Sequence, residues 1–183
     1  NQRTADGRND FMKGSFWGPD FSRDEIGLYL QKHNISFEEI PDGDIPEKVA
    51  DLIAAQKTIG WFQGRMEFGP RALGGRSIIG DARSPKMQEI MNLKIKFRES
   101  FRPFAPSVLK EKVSDYFDLD RESPYMLIVA PVKESIRRKM TQEEQSYFGL
   151  DKLHVVRSVI PAVTHVDYSA RVQTVTEETN PLY

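Results

Sequence analysis

The sequence predicts a single mixed α/β domain. Three observations support this fold class: two amphipathic helical patterns near the N-terminus, short apolar segments of strand length after them, and no internal repeat. The 183 residues are long enough to bury a core without disulfide bonds. A hydrophobic share of 39% is typical of a globular chain and not of a disordered one.

Two helices are expected before the first strong strand. Ser22 and Glu25 form a capping box at the start of a helix over residues 23–33, whose apolar residues recur at helical spacing. Residues 45–57 have the same periodicity. The segment ISFEEI at 35–40 has the composition of a short strand that connects them.

Strands and short helices are expected to alternate along the rest of the chain. The predicted strands share a high apolar content and lie at 58–63, 76–82, 125–132, 161–166 and 170–175. The predicted helices lie at 85–95, 110–117 and, as an exposed excursion, within 133–152. The last two strands alternate like a hairpin around the DYS turn at 167–169.

Composition excludes several kinds of site. The chain has no cysteine, which rules out disulfides, thiolate metal sites and cysteine nucleophiles. No apolar run reaches the ~20 residues of a membrane span, and the N-terminus lacks a signal-peptide pattern, so a cytoplasmic protein is expected. The N-terminus also lacks an initiator methionine and the C-terminus has no helix or strand ending, and we therefore expect residues 1–183 to be one domain truncated at both ends of a longer protein.

Positive charge is concentrated in one part of the chain. The net charge is −1, but residues 61–110 contain ten Lys and Arg against four Asp and Glu. A basic patch within an acidic chain predicts a local anionic ligand, whereas nucleic acid and membrane are not expected as partners.

A glycine- and arginine-rich loop follows the predicted strand at 58–63. Its glycines let backbone amides approach a ligand, and the guanidinium groups of Arg65 and Arg71 match phosphate or carboxylate. The spacing fits neither a Walker loop nor the dinucleotide fingerprint. A surface turn with arginines paired to Glu67 and Asp81 explains the loop equally well, and Glu67 could instead orient Arg65 or Arg71.

A second basic segment alternates cations with apolar residues. In an extended strand, Lys94, Lys96 and Arg98 would line one face, and Ile95 and Phe97 would pack on the other. Like charges on one face favour an anion between them, but a solvated edge strand that carries lysines is an equal alternative.

The predicted C-terminal hairpin has polar residues near its turn. Ser169 and Arg171 share one strand face next to this turn. His165 and Asp167 do not predict a metal site, because no third ligand lies nearby in the sequence, and nothing resembles the elbow of a serine nucleophile.

Four segments together resemble the C-terminal domain of the O-carbamoyltransferases of the nodulation and tobramycin-carbamoyltransferase type. They cover about residues 58–175 in the family order: GWFQGRMEFGPRALGGRSI, MNLKIKFRESFRPFAPSVL, SPYMLIVAPV and IPAVTHVDYSARVQTV. The resemblance implies a YrdC-like fold, in which a twisted open mixed sheet flanked by helices presents a basic concave face.

The resemblance also implies an activity. The domain would bind ATP, with Mg²⁺ accompanying the nucleotide, and carbamoyl phosphate, and it would form carbamoyl-adenylate. An N-terminal domain of ATPase fold, which carries iron in family members, would then transfer the carbamoyl group to a hydroxyl acceptor. Neither iron ligands nor any other protein-held metal site is expected in this chain.

Site residues follow from the same resemblance. Lys96 and Arg98 fall on the family's Lys-x-Arg pair and are expected to act in catalysis by stabilising phosphate charge. The expected ATP and carbamoyl phosphate contacts share polar or cationic side chains and are Arg65, Arg71, Asn92, Lys96, Arg98, Arg102, Ser169 and Arg171. Alternative functions are an RNA-binding YrdC-like module and a non-catalytic domain that packs on a partner.

The chain departs from the family pattern in two places. Tyr168 stands where the family has glycine after Thr-His-Val-Asp, and a turn there favours positive φ. If Tyr168 has positive φ, we expect glycine to stabilise the fold by up to about 1 kcal/mol. The family also continues beyond NPLY to a segment ending near NTSFN, so part of the sheet is expected to lie outside this chain.

Overall fold

The computed structural model describes residues 10–183, so residues 1–9 of the predicted domain lie outside the described residues. Within the described residues, the α-helical segments are α1 Arg23–Lys32, α2 Ile45–Ala54, α3 Met87–Ile90, α4 Val113–Tyr116 and α5 Gln142–Ser146. The strands of this part of the chain are β1 Ile59–Phe62, β2 Arg76–Ile79, β3 Ser107–Leu109, β4 Ile128–Pro131 and β5 Ser169–Val175. Shorter 3₁₀ turns lie at Lys13–Ser15, Asp42–Asp44, Lys110–Lys112, Glu134–Ile136, Gly149–His154 and Pro161–Val163.

The strands form two small open sheets. β1 and β2 are antiparallel and pair Ile59 with Ile79 across the glycine- and arginine-rich loop. The second sheet has the order β3-β5-β4, with β3 parallel and β4 antiparallel to the central β5. The predicted mixed α/β class is confirmed, with the strands divided between two sheets.

The main core lies against the three-stranded sheet. Val132, Ala170 and Val172 are fully buried and pack with Phe117 of the segment that follows α4. β5 is the central strand, so both of its edges are paired and most of its residues are buried. A smaller cluster of Met87, Met91 and Ala162 lies beside this core.

The capping box predicted for α1 is confirmed. The hydroxyl of Ser22 accepts from the backbone N–H of Glu25 at 3.2 Å, and the Glu25 carboxylate accepts from the Ser22 backbone N–H at 2.8 Å. These bonds satisfy two of the backbone donors that every helix start leaves unpaired. No residue of α1 is buried, so its local sequence and not a packed face defines the helix.

Two predicted strands are wrong. Residues 35–40 form no strand, because Ile35 and Phe37 stay exposed and no neighbouring strand pairs with them. Residues 161–166 form the 3₁₀ turn Pro161–Val163 and an irregular segment instead of the first strand of a hairpin. The predicted second strand of that hairpin is β5, and it pairs with β3 and β4.

The predicted basic strand is also wrong. Residues Met91–Ile95 form a π-helical turn that continues α3, and the chain then kinks at Phe97, whose φ is 49°. The apolar residues of the pattern are not buried: Ile95 is 42% exposed and Phe97 is 86% exposed. Without a packed apolar face, the period-two alternation has no sheet to join.

Candidate anion site

A basic cavity lies between the two sheets. Its volume is about 240 Å³, and its walls come from the loop before β2, the segment after α3, the start of β3 and the middle of β5. Four cationic side chains line it: Arg71, Lys96, Arg98 and Arg171. The structure therefore brings together four of the residues that the sequence nominated, although the strand that was expected to align two of them is absent.

The cavity gathers positive charge without a matching negative charge. No aspartate or glutamate is among the residues of 10–183 that line it. Burial lowers the pKa of Arg171 below its usual value, and the nearby charge of Arg71 lowers that pKa further. The buried Nε of Arg71 has no hydrogen-bond partner among the described residues. An arrangement of this kind favours a bound anion, which would relieve the repulsion and supply the missing acceptor.

Glu67 organises the backbone of the loop that carries Arg71. Its Oε1 atom accepts from the backbone N–H groups of Leu73 at 2.7 Å, Gly75 at 2.7 Å and Arg76 at 3.1 Å. Gln173 of β5 donates from Nε2 to the carbonyl of Leu73 at 2.8 Å and ties the loop to the second sheet. Glu67 thus binds backbone N–H groups, and no ion pair joins it to Arg65 or Arg71 within the described chain.

The other arginines of the loop region have structural partners. Arg76 donates to the carbonyls of Gly75 at 2.7 Å and Gly64 at 2.9 Å, and its guanidinium lies 3.2 Å from the centroid of the Phe62 ring. Burial is the main cause of its lowered pKa. Arg83 pairs with Asp81 at 2.9 Å. The abundance of arginine in this region therefore serves both the loop's own backbone and the cavity.

Several nominated residues lie away from the cavity wall. Arg65 is exposed and lies 4.0 Å from Asp20, and Arg102 pairs with Glu99 at 2.9 Å. Asn92 is completely buried and accepts a hydrogen bond from Arg98. Ser169 begins β5 and lies near His165 and Asp167 instead of the cavity.

Sequence reasoning missed four polar residues of the cavity wall, one of which is Ser77 of β2. Gln173, Ser107 and Tyr183 are the other three, and Ser107 bonds to both Gln173 and Tyr183: its hydroxyl donates to the Gln173 amide oxygen at 2.8 Å and lies 3.0 Å from the Tyr183 hydroxyl. Gln173 was detectable, because it stands two residues after Arg171 on the same strand face. Ser107 and Tyr183 carry no local sequence signal, since only the tertiary fold brings them here.

A hydrogen-bonded chain surrounds the turn before β5. The Ser169 hydroxyl donates to Asp167 at 2.7 Å and lies 3.2 Å from Nδ1 of His165. Because the serine donates to the carboxylate, the arrangement is not that of an activated nucleophile. Burial is the main cause of the lowered pKa of His165, whose Nε2 has no partner among the described residues.

Two kinds of structure are absent from residues 10–183. Among them, no group of three or more His, Asp or Glu side chains is placed to hold a metal ion. Within the same range, no helix combines the length and apolar character that a membrane span requires.

Comparison with known proteins identifies relatives of the chain. Residues 50–183 match the family described as Carbamoyltransferase C-terminus. The chain is 59% identical over 176 residues to the uncharacterized protein sll1178 of Synechocystis sp., which covers 95% of this chain and 29% of that protein. It is 38% identical over 174 residues to the nodulation protein NolO of Bradyrhizobium diazoefficiens, covering 92% of this chain and 28% of NolO.

A third relative has a printed enzymatic name. The chain is 38% identical over 133 residues to the 3'-hydroxymethylcephem-O-carbamoyltransferase of Streptomyces clavuligerus, covering 73% of this chain and 21% of that protein. The chain thus spans less than a third of the length of each of these relatives.

Proposed function

This chain belongs to the Carbamoyltransferase C-terminus family, and we propose that its basic cavity binds the phosphates of ATP and of carbamoyl phosphate as part of an O-carbamoyltransferase. The observation that carries the proposal is the convergence of Arg71, Lys96, Arg98 and Arg171 on one cavity without an acidic residue among its described walls. Two phosphorylated substrates require many cations, and guanidinium groups suit phosphate because their planar forks bind two oxygens at once.

The reaction that this site supports is formation of carbamoyl-adenylate. Water first cleaves carbamoyl phosphate into carbamate and inorganic phosphate, which leaves. One oxygen of the carbamate then bonds to the α-phosphorus of ATP as the bond to pyrophosphate breaks. Negative charge grows on the α-phosphate and on pyrophosphate during this step. Lys96 and Arg98 are the residues that we assign to stabilise that charge, since preorganised cations need no covalent intermediate.

Arg71 and Arg171 take a second role in this proposal. They lie close enough for the charge of Arg71 to lower the pKa of Arg171, so one anionic group between them would neutralise both. Arg171 sits on the central strand and Arg71 on a loop anchored by Glu67 and Gln173. Both cations are therefore supported by rigid elements, which lowers the ordering cost of binding.

Magnesium would enter this site with the nucleotide. The described cavity wall offers no carboxylate as a ligand, so the residues present do not fit a protein-held magnesium site. Iron, in the same way, belongs to our proposal only for an N-terminal ATPase-fold domain of the longer protein.

Transfer to the final acceptor would take place outside this domain. The Streptomyces clavuligerus relative is named for O-carbamoylation of a hydroxymethylcephem, which supports a hydroxyl group as the acceptor. We propose that the N-terminal domain of the longer protein carries out that transfer. The chain by itself should then bind ATP without carbamoylating a hydroxyl compound, and product formed by the chain alone would contradict this division.

Calorimetric titration of ATP tests the anion site. Lys96→Ala and Arg98→Ala should each weaken binding at least about tenfold, because a charge-assisted hydrogen bond contributes roughly 1.5–3 kcal/mol and ~1.4 kcal/mol is a factor of ten. Arg98→Lys should also lose affinity, since an ammonium group cannot reproduce the bidentate fork.

Lys86→Ala is the matched control for these variants. Lys86 is exposed at the residue before α3 and does not line the cavity. It should bind ATP as the unmodified chain does. If Lys86→Ala weakens ATP binding as much as the other variants do, the cations attract ATP only through their summed charge and the proposed site is wrong. Displacement of ATP by single-stranded RNA would favour the RNA-binding alternative.

A further inference from the structure

We infer that Asn92 is a positioning residue, which fixes the guanidinium of Arg98 toward the basic cavity without touching the ligand. This inference rests on the proposed function of Arg98 as a phosphate contact. Asn92 itself has no exposed surface and does not line the cavity. Its effect on binding must therefore pass through the residues that it contacts.

All the side-chain hydrogen bonds of Asn92 go to one short segment. Its Oδ1 accepts from Nε of Arg98 at 2.7 Å. Its Nδ2 donates to the carbonyls of Ser100 at 3.0 Å and Arg102 at 2.8 Å. Both amide donors and one acceptor position are thus used, and an asparagine supplies this combination where aspartate would lack the donors.

The backbone beside Arg98 needs this support. Phe97 has a φ of 49°, which is unfavourable for an aromatic residue, and its ring is almost fully exposed. Backbone hydrogen bonds form on both sides of Phe97. The N–H of Lys96 donates to the carbonyl of Met91 at 2.9 Å, and the N–H of Arg98 donates to the backbone carbonyl of Asn92 at 3.1 Å. A strained residue without burial persists only where its surroundings fix it. The kink allows Lys96 and Arg98 to reach the same cavity.

The hydrogen bond to Asn92 uses Nε of the Arg98 guanidinium and leaves its two terminal amino groups able to contact a ligand. Asn92 engages Nε, and the guanidinium carbon lies 5.0 Å from the centroid of the Phe104 ring. Within residues 10–183, no hydrogen bond or ion pair engages its two terminal amino groups. The neighbouring Glu99 pairs with Arg102 instead. The terminal groups are the two donors that a phosphate would accept from.

A double-mutant cycle separates positioning from general support of the fold. Titration of ATP would compare the unmodified chain with Asn92→Ala, Arg98→Ala and the double variant. Asn92→Ala should weaken binding at least about fivefold, as expected for one lost hydrogen bond. In the Arg98→Ala background the same change should alter affinity by less than about twofold, because residues that act as a unit are not additive.

Ser158→Ala is the matched control for loss of a buried polar group. Ser158 is buried, bonds to Thr164 at 2.7 Å and does not line the cavity. It should lower the melting temperature without weakening ATP binding. If Arg98→Ala leaves binding unchanged, the proposed site itself fails. If Arg98→Ala weakens binding but Asn92→Ala does not, or if the two effects add, the positioning role is refuted.

A second measurement does not depend on a folded Asn92 variant. In ¹⁵N-labelled unmodified protein, the Nε proton of Arg98 should exchange with water about tenfold more slowly than that of the exposed Arg65, because Asn92 accepts it. Equal exchange rates for the two arginines would overturn the inference.

Discussion

Replacing Tyr168 with glycine removes backbone strain but also removes the contacts of the tyrosine side chain. Tyr168 has a φ of 64°, which confirms the premise that the sequence raised for this turn. Its ring, however, has partners on a distant segment. The Arg137 guanidinium lies 5.2 Å from the ring centroid, and the hydroxyl donates to the carbonyl of Arg138 at 3.4 Å.

The magnitudes decide the sign of the effect. Glycine at this left-handed position removes about 1 kcal/mol of backbone strain. Against this, glycine raises the conformational entropy of the unfolded chain, which lowers the free energy of unfolding by roughly 0.4–1 kcal/mol. Loss of the cation–π contact costs about 0.5–1 kcal/mol, and loss of the long hydroxyl bond costs about 0.5 kcal/mol. We therefore expect Tyr168→Gly to lower the free energy of unfolding by about 1 kcal/mol, opposite in sign to the expectation from sequence.

Thermal and urea unfolding measure this difference. For a chain of this size, about 1 kcal/mol corresponds to a fall of roughly 2–4 °C in Tm. Tyr168→Phe keeps the ring and should lose only the hydroxyl share, about 0.5 kcal/mol. A Tm for Tyr168→Gly above that of the unmodified chain would refute the reasoning, because backbone strain would then exceed all the ring contacts.

Two further predictions concern groups around the site. Burial lowers the pKa of His165 in the folded chain, whereas in the unfolded chain this pKa is about 6.5. Below about pH 6.5 the unfolded chain therefore binds a proton at His165 more readily than the folded chain does, and the free energy of unfolding falls as the pH drops. His165→Gln should flatten this fall between urea midpoints measured at about pH 7.5 and 5.5, and an unchanged fall would exclude His165 as its source. Glu67→Gln should lower the free energy of unfolding by about 1–2 kcal/mol, since three backbone N–H groups lose an ionised acceptor. A Glu67→Gln denaturation curve that overlays the parent curve would contradict that role.

Elements with a local physical cause could be predicted from the sequence. The capping box of Ser22 and Glu25 marks the start of α1, because both bonds form within four residues of the chain. β1, β2 and β4 were recognisable as apolar segments bounded by turns. The same reasoning nominated Arg71 and Lys96 together, since an excess of cations over carboxylates in one stretch of sequence indicates an anion, and both residues line the basic cavity.

Elements that depend on a distant partner could not be predicted in this way. The alternation around Lys96 and Arg98 is that of a strand, yet no second strand pairs with it, and the segment follows α3 into a π-helical turn. The strand predicted at 161–166 does not form for a similar reason, because β5 pairs with β3 and β4 instead of with this segment. Hydrogen bonding across a sheet is a property of two segments, and one segment does not encode it.

The sequence by itself determined that this chain has a mixed α/β fold, a local concentration of positive charge and the motifs of the carbamoyltransferase family. Only the tertiary structure decided which cations converge. Arg65 and Arg102 face carboxylates outside the cavity, whereas Arg171 meets Arg71 across the two sheets. The physical reason is that residue type and local spacing fix which groups are available, while the direction of each side chain depends on contacts such as that of Asn92 with Arg98.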